Sequence, residues 1–296
     1  MFIGDLIQDL INQEYPLDKL EVIIVNDRST DTTNEILTTA NENYALIKTI
    51  KVDKTSENMT PKKNALTLGI ESAGGEIIIL TDADCRVGKL WVSSMVYSVI
   101  NQNCISIGFS EIGLNTNSLF EKYQRIDFLG IISANAGSAG WGHFWSGTGQ
   151  NLAFYKEDFF KINGFEPVKD RISGDDMYLV QSISKLKKGY INIDPNSFVR
   201  TAAMQTLKEF INQRVRWSSN SKLNATGNPL FFSFLSIMFI YNIIIIMTFL
   251  LGGNWFFLFL FKFILDGSVI FLGAKLFSRK IKFLPFCLWS IAQPIY

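Results

Sequence analysis

Short apolar runs alternate with longer amphipathic segments over the first eighty residues. Residues 20–25 and 77–80 are apolar and rich in β-branched residues, as in strands covered on both faces, and residues 47–52 indicate a further strand. A helix follows the first run, opened by Thr32 and Glu35 as a capping box, and another starts at Thr60-Pro61 after the second. This alternation predicts an α/β fold with a parallel sheet and helices on both faces, in which ligands bind beyond the carboxyl ends of the strands.

Two long apolar segments follow in the last third of the chain. No Asp, Glu, Lys or Arg occurs between residues 222 and 262, and Leu230–Leu251 is long enough to cross about 30 Å of hydrocarbon as a helix. The second segment, Trp255–Phe277, contains Lys262 and Asp266, which are four residues apart and share one side of a helix. We therefore predict a soluble domain over residues 1–222 and a transmembrane region over 223–296.

The charges around the two predicted spans indicate their orientation. The connection Gly252–Asn254 is uncharged, whereas basic residues precede the first span and follow the second: Arg214, Arg216, Lys222, Lys275, Arg279, Lys280 and Lys282. By the positive-inside rule the spans form a hairpin with both flanks in the cytoplasm. The first twenty residues lack the basic start and apolar core of a secretory signal, so we expect a cytoplasmic soluble domain on a multi-pass membrane protein.

Composition excludes two other classes of protein. The chain has 28 basic and 27 acidic side chains, and this balance argues against a nucleic-acid partner, whose phosphates require a basic excess. The cysteines Cys85, Cys104 and Cys287 are far apart and have no metal-ligand spacing. They indicate a reducing compartment rather than a disulfide scaffold.

Acidic residues end two of the predicted strands. Asp27 and Asp82 each follow an apolar run, and either aspartate alone is explained equally well as a turn former. The pair Asp82-x-Asp84 is more informative, because two carboxylates at this spacing can converge on one hard cation that also binds substrate phosphates. We expect Mg²⁺ or Mn²⁺ here.

A second acidic pair opens a later helix. Asp175 and Asp176 follow Gly174 and fall in the first helical turn, where the helix dipole stabilises negative charge. Capping explains one of the two aspartates. The other is a candidate general base, because such a base needs a carboxylate held on a rigid element.

Aromatic side chains accompany two further segments. The run Asn135–Gly149 is rich in Gly, Ser and Trp and predicts a flexible wall whose rings stack on a sugar, although buried core aromatics explain it equally well. Gln213, Arg216 and Trp217 share one face of a helix that starts near Thr206. That face offers contacts for phosphate and sugar, and the alternative is an amphipathic helix beside the membrane.

Four segments together resemble the family 2 inverting glycosyltransferases, which have the GT-A fold and include cellulose, chitin and hyaluronan synthases. They cover most of the soluble region in the family's order: EVIIVNDRSTD (21–31), PKKNALTLGIESAGGEIIILTDADC (61–85), SGDDMYL (173–179) and GYINIDPNSFVRTAAMQTLKEFINQRVRW (189–217). The pattern Gln-x-x-Arg-Trp directly before membrane spans is the most specific. The resemblance implies transfer of a sugar from a nucleotide-diphosphate donor, such as a UDP-sugar, to a polysaccharide or glycolipid.

The resemblance also implies roles at matching positions. Asp27 would bind the uracil or ribose of the donor, and Lys62 a phosphate. Asp82 and Asp84 match the family's Asp-x-Asp, with Asp84 as the metal ligand and Asp82 close to both metal and donor. Asp176 matches the base that deprotonates the acceptor hydroxyl.

The remaining matches concern the positions around that base and the last helix. Asp175 stands where the family more often has glutamate, so its role in substrate binding is less defined. Gln213, Arg216 and Trp217 would hold the pyrophosphate and the acceptor sugar. A single base without a covalent nucleophile implies inversion at the anomeric carbon.

One departure from the family pattern lies at the start of the sequence. Family members open with a strand and a turn that supply part of the nucleotide pocket, whereas this sequence begins at the helix that follows. We therefore expect an inactive, truncated glycosyltransferase-like membrane protein as the alternative. A nucleotidyltransferase on a related sheet is a third reading, but it leaves the Gln-x-x-Arg-Trp helix unexplained.

Overall fold

A computed structural model describes residues 2–54, 56, 58–114, 118–219, 224–225 and 227–295. The chain divides into two compact units: Met1–Ser110 with Ser146–Thr201, and Glu111–Trp145 with Ala202–Tyr296. The predicted domain boundary at residues 222 and 223 lies outside the described residues.

Helices and strands alternate along the chain and are numbered here in chain order. The strands are β1 (Val22–Asp27), β2 (Ile47–Val52), β3 (Ile77–Leu80), β4 (Cys85–Val87), β5 (Ile105–Gly108), β6 (Ser110–Ile112), β7 (Leu152–Tyr155), β8 (Gly189–Asn192) and β9 (Val199–Thr201). The helices are α1 (Phe2–Ile11), α2 (Thr33–Asn43), α3 (Pro61–Ser72), α4 (Trp91–Gln102), α5 (Leu119–Gly140), α6 (Lys156–Lys161), α7 (Asp175–Leu186), α8 (Leu207–Ser218), α9 (Pro229–Leu250), α10 (Trp255–Leu276) and α11 (Phe283–Ala292).

The strands of the first unit form a mixed arrangement rather than the predicted parallel sheet. β1 and β2 pair in parallel, from Val22 opposite Ile47 to Asp27 opposite Val52. A second sheet has the order β3-β7-β5-β8, in which β7 is antiparallel to both β3 and β5. The predicted parallel pairing is present between β1 and β2 and between β5 and β8. The antiparallel strand β7 was not predicted, because its partners β3 and β5 lie far from it in the sequence, beyond the range of any local pattern.

The core of the first unit lies between its helices and strands. The apolar face of α1, including Leu6 and Leu10, is buried in the same cluster as Trp91 and Met95 of α4. Burial of such large apolar side chains contributes about 1.5–3 kcal/mol each. This core fixes the strand ends that carry the acidic residues.

The starts of α2, α3 and α8 agree with the prediction, but the capping of α2 differs from it. Helix α3 begins at Pro61 and α8 has Thr206 and Glu209 in a complete capping box. The predicted capping box of Thr32 and Glu35 is absent, because the Thr32 side chain makes no capping hydrogen bond. Instead the Asp31 carboxylate accepts the Thr33 backbone N–H at 3.1 Å, so a charged group performs the capping role.

In the second unit, α5 packs closely against α10. Gly273 faces Ser133, and a Cβ at Gly273 would lie 1.8 Å from the Ser133 Oγ. A Cβ at Gly130 would lie 3.2 Å from Ile270 Cδ1, a less severe approach. The predicted flexible wall over residues 135–149 is partly wrong, since α5 continues to Gly140 and includes the first six residues of that run. Hydrophobic periodicity did not reveal α5 because its buried face includes polar side chains.

The two predicted spans form α9 and α10. Both are 22 residues long, with mean hydropathies of 2.4 and 2.0, and by length and composition they are able to cross a membrane. Lys262 and Asp266 form the predicted ion pair within α10. A buried Ser290 hydroxyl donates a further hydrogen bond of 2.9 Å to Asp266.

Candidate active site

Lys62 is the centre of an ion-pair network in the first unit. It lies in the first turn of α3, which Pro61 starts with a preset backbone angle. Its Nζ is 3.3 Å from Asp82 Oδ1 and 3.6 Å from Asp175 Oδ2. The side chain remains 51% exposed, so water screens both ion pairs. A phosphate can therefore reach this ammonium group.

The adjacent lysine has a different role. Lys63 is buried and donates hydrogen bonds to the Thr60 hydroxyl and to the Arg171 carbonyl. Thr60 also donates its hydroxyl proton to Arg171 O at 3.3 Å. These contacts fix the start of α3 against the segment that precedes α7.

Asp82 and Asp84 lie in the turn between β3 and β4. Burial raises the pKa of Asp84, and the neighbouring charge of Asp82 raises it further. Asp84 Oδ1 is also 3.8 Å from the Cys85 thiol. The turn thus carries two carboxylates, whose oxygen atoms are the donor type that a hard cation prefers.

Asp175 and Asp176 occupy the first turn of α7, as predicted. Gly174 precedes them with a φ of 85°, a conformation that glycine adopts without strain. Asp176 Oδ1 accepts the Met177 backbone N–H at 2.7 Å. Burial and then the charge of Asp175 raise the pKa of Asp176 to about 6, although Lys62 opposes the shift.

These four aspartates, Asp82, Asp84, Asp175 and Asp176, are called the acidic cluster. Burial works to lower the pKa of Lys62, but the carboxylates of Asp82, Asp175 and Asp176 outweigh it and raise that pKa. The first unit thus brings four predicted aspartates together near the ammonium group of Lys62, which is itself a predicted site residue. Within the described ranges, no group of three or more His, Cys, Asp or Glu side chains is placed to hold a metal. Asp82 and Asp84 are the members of the cluster that the sequence predicts as metal ligands.

The segment 149–151 also borders the acidic cluster, and of its residues only Gly149 belongs to a segment predicted from the sequence. A Cβ at Gly149 would lie 3.6 Å from Lys62 Nζ and from Asp175 Oδ2. Gln150 is buried, and its Oε1 accepts the Cys85 thiol at 3.5 Å. Asn151 fixes this segment by accepting from Trp91 Nε1 at 3.0 Å. The signal available in the sequence was the polar pair Gln-Asn directly before an apolar strand.

Asp27 ends β1, and its carboxylate pairs with the neighbouring Arg28. Arg28 donates from Nε to Asp27 Oδ1 at 2.7 Å. Arg28 has a backbone φ of 58°, a left-handed conformation that is uncommon for residues other than glycine and asparagine. In the structure Asp27 therefore pairs with Arg28 and not with a residue of the acidic cluster.

The predicted residues of the last helix belong to the second unit. Gln213 and Trp217 are half-buried on α8, whereas Arg216 is exposed. Trp217 packs against Phe128, with ring centroids 6.1 Å apart. Of the two tryptophans in the Gly-rich run, Trp145 is buried against Phe231, and Trp141 is 88% exposed.

Comparison with known proteins places the sequence in a family. The profile of "Glycosyl transferase family 2" matches residues 2–172. "Probable glycosyltransferase YdaM" of Bacillus subtilis is 26% identical over 224 residues, or 74% of this chain and 52% of that protein. The β-monoglucosyldiacylglycerol synthase of Synechocystis is 34% identical over 87 residues, 29% of this chain and 18% of that enzyme. The chain therefore spans about half the length of the first relative, and less of the second.

A solved structure shares the fold along the whole chain. The mannosyltransferase PcManGT from Pyrobaculum calidifontis, in complex with GDP-Man and Mn²⁺, covers 99% of this chain and 80% of its own, with a TM-score of 0.62 and 18% identity. This similarity concerns the fold. Together with the family profile it shows that the chain belongs to glycosyl transferase family 2 and has a GT-A type fold.

Proposed function

We propose that this protein is a membrane-bound inverting glycosyltransferase that transfers a sugar from a nucleotide-diphosphate donor to a polysaccharide or glycolipid. The observation that carries the proposal is the acidic cluster around Lys62, at the end of β3 and the start of α7. A cation and a phosphate can bind among Lys62, Asp82 and Asp84. A base is available close by.

Asp176 is the proposed general base. A pKa of about 6 leaves its carboxylate ionised at neutral pH yet basic enough to accept a proton, which suits general-base catalysis. As the acceptor oxygen forms its bond to the anomeric carbon, its proton passes to Asp176. The bond between that carbon and the diphosphate oxygen breaks on the opposite face, which inverts the configuration.

The other residues of the first unit have proposed roles in binding. Lys62 contacts a phosphate, and the donor then replaces part of its pairing with Asp82 and Asp175. Asp82 and Asp84 would hold Mg²⁺ or Mn²⁺, which supplies charge stabilisation to the departing diphosphate when bound. The complex of PcManGT with GDP-Man and Mn²⁺ supports a divalent cation together with a nucleotide-diphosphate donor. Asp27 is proposed to bind the nucleoside.

The residues of α8 complete the proposal. Following the family resemblance, we assign Gln213 and Arg216 to the pyrophosphate and Trp217 to the acceptor sugar. The exposed guanidinium of Arg216 is suited to phosphate, with which arginine forms two parallel hydrogen bonds. The relative that makes monoglucosyldiacylglycerol supports a lipid acceptor.

Product analysis tests the proposed function. Membranes that contain the protein are supplied with a panel of UDP- and GDP-sugars, and products are identified by mass spectrometry. We expect one donor to release free nucleoside diphosphate and to yield an inverted glycoside. Release of pyrophosphate would identify a nucleotidyltransferase instead. Failure to bind any of the nucleotide sugars would favour the inactive glycosyltransferase-like membrane protein.

The membrane arrangement gives a separate prediction. We propose that α9 and α10 form a hairpin with both ends in the cytoplasm, supported by their uncharged connection and basic flanks. In a Cys287→Ser background, Asn254→Cys should react with a membrane-impermeant maleimide added outside intact cells. Lys280→Cys should react only after the membrane is permeabilised. The reverse pattern would contradict the proposed orientation.

A further inference from the structure

Asp127 lies at the meeting point of three helices of the second unit. It is a buried residue near the middle of α5. Its Oδ2 accepts a hydrogen bond of 2.8 Å from Arg214 Nε on α8, and its Oδ1 accepts one of 2.9 Å from Trp289 Nε1 on α11. One carboxylate therefore links the Gln-x-x-Arg-Trp helix to a helix of the predicted membrane region.

Arg214 also contacts neighbouring side chains of α8. Its NH1 donates to Gln213 Oε1 at 2.7 Å. Its guanidinium carbon also lies 4.3 Å from the centre of the Trp217 ring and 4.4 Å from that of Phe210. The arginine thus contacts two of the three residues of α8 proposed to bind substrate.

On the opposite side of Asp127 from Arg214, Trp289 lies close to an ion pair of α10. The Trp289 ring lies 5.8 Å from Lys262 Nζ, and Lys262 is paired with Asp266. Asp266 in turn accepts from Ser290, the residue next to Trp289. The indole of Trp289 is therefore held by its hydrogen bond to Asp127 and lies beside the Lys262–Asp266 ion pair, all within the second unit.

The chemistry of the central pair suits a positioning role. Arg214 and Asp127 are mostly buried, with side chains 12% and 8% exposed, so the loss of either charge would leave the other without compensation. A planar guanidinium also holds a carboxylate in a fixed orientation, which a lysine does not. Apolar contacts alone would hold α8 less specifically.

We propose that Asp127 is a positioning residue that orients Gln213 and Trp217 through Arg214, and that this orientation depends on the docking of α11 through Trp289. The inference rests on the proposed function, because only substrate binding by α8 makes its orientation matter for transfer. Asp127 itself contacts no substrate. Its effect is to couple the substrate-binding helix to the membrane helices.

The test combines kinetics with an independent measure of the order of α8. In the full-length protein in membranes or detergent, Asp127→Asn is compared with Asp127→Glu, with Trp289→Phe and with the control Arg125→Gln. The control removes another ion pair of α5, between Arg125 and the buried Glu121 at 3.1 Å, together with the hydrogen bond of 2.9 Å from Arg125 to the Ile112 carbonyl. It therefore measures the cost of losing a charge pair of α5 other than that of Asp127. The measurements are kcat, KM for the acceptor, the stoichiometry of UDP binding by calorimetry, and hydrogen exchange of residues 207–218.

For Asp127→Asn we expect kcat/KM to fall about 10- to 100-fold, as for other small misplacements of substrate-binding groups. The KM for the acceptor should rise, UDP should still bind one per chain, and exchange in α8 should increase. Asp127→Glu should recover part of the loss, and Trp289→Phe should act in the same direction. Arg125→Gln should leave kinetics and α8 exchange close to wild type.

Two results would overturn the proposal. If Asp127→Asn lowers both kcat and the UDP stoichiometry and leaves the KM for the acceptor unchanged, the residue only keeps the protein folded. If α8 exchange does not change, Asp127 does not order that helix. If the wild type transfers no sugar, the proposed function fails, and the exchange data still decide whether Asp127 couples α8 to α11.

Discussion

Asp176→Asn is expected to reduce glycosyl transfer by about 10²- to 10⁴-fold, the usual contribution of a general base, while UDP affinity changes little. The amide keeps the shape of the side chain and still accepts the Met177 N–H, but it cannot take a proton from the acceptor hydroxyl. Initial rates at saturating donor, together with calorimetric titration by UDP, separate these two effects.

The pH profile provides a second readout of the same residue. Because burial and Asp175 raise the pKa of Asp176 to about 6, the wild-type rate should fall as the pH drops through that value and the base becomes protonated. The folded state also binds this proton more tightly than the unfolded chain, so the charge costs stability above that pH. Asp176→Asn should therefore unfold at or above the wild-type temperature at pH 7.5, which shows that the variant is folded.

Two variants serve as controls for this assignment. Asp170→Asn makes the same chemical change at an exposed residue a few positions before the acidic cluster and should be active. Asp175→Asn should weaken substrate binding more than it slows the chemical step. Near-normal turnover in Asp176→Asn with loss in Asp175→Asn would reverse the roles of the pair, and activity in both would place the base elsewhere.

Removal of the divalent cation is expected to produce the second large effect. Asp84→Ala should weaken UDP binding at least about 10- to 100-fold, the loss caused even by residues that only orient metal ligands. EDTA should lower the affinity of the wild-type protein to a similar level. It should have little further effect on the variant, because the cation would already be bound too weakly to contribute.

The exposed Asp18→Ala is the matched control for this experiment and should keep both the affinity and its dependence on Mn²⁺. Isothermal titration with UDP, in Mn²⁺ and in EDTA, measures the affinity of the wild-type protein and of both variants. Equal affinity of the wild-type protein in Mn²⁺ and in EDTA would disprove the role of Asp82 and Asp84 as cation ligands.

Much of the secondary structure of the first unit could be predicted from the sequence, because it depends on local signals. The strands 47–52 and 77–80 were predicted at their observed bounds, because their apolar runs end at residues that favour turns. Helices α3 and α8 likewise begin at local signals, a proline and a capping box. Such features depend on a few neighbouring residues.

What the sequence did not reveal depends on contacts between distant segments. The antiparallel strand β7 is paired by residues about seventy positions away, and no local period encodes that direction. The approach of Lys62 to Asp82 and Asp175 joins three separate segments. In α5, buried polar groups such as Asp127 interrupt the apolar stripe, because their partners Arg214 and Trp289 come from elsewhere in the chain.

The close approach of Gly273 to Ser133 has a practical consequence for anyone who wishes to purify a soluble version of this enzyme. Hydropathy suggests cutting the chain near residue 222, but α5 lies before that point and its packing partners α10 and α11 lie after it. A fragment cut there would expose the face of α5 around Gly130 and leave the Asp127 carboxylate without its indole partner. Detergent or nanodisc preparations that retain the helical hairpin are therefore the better starting material for crystallisation and assays.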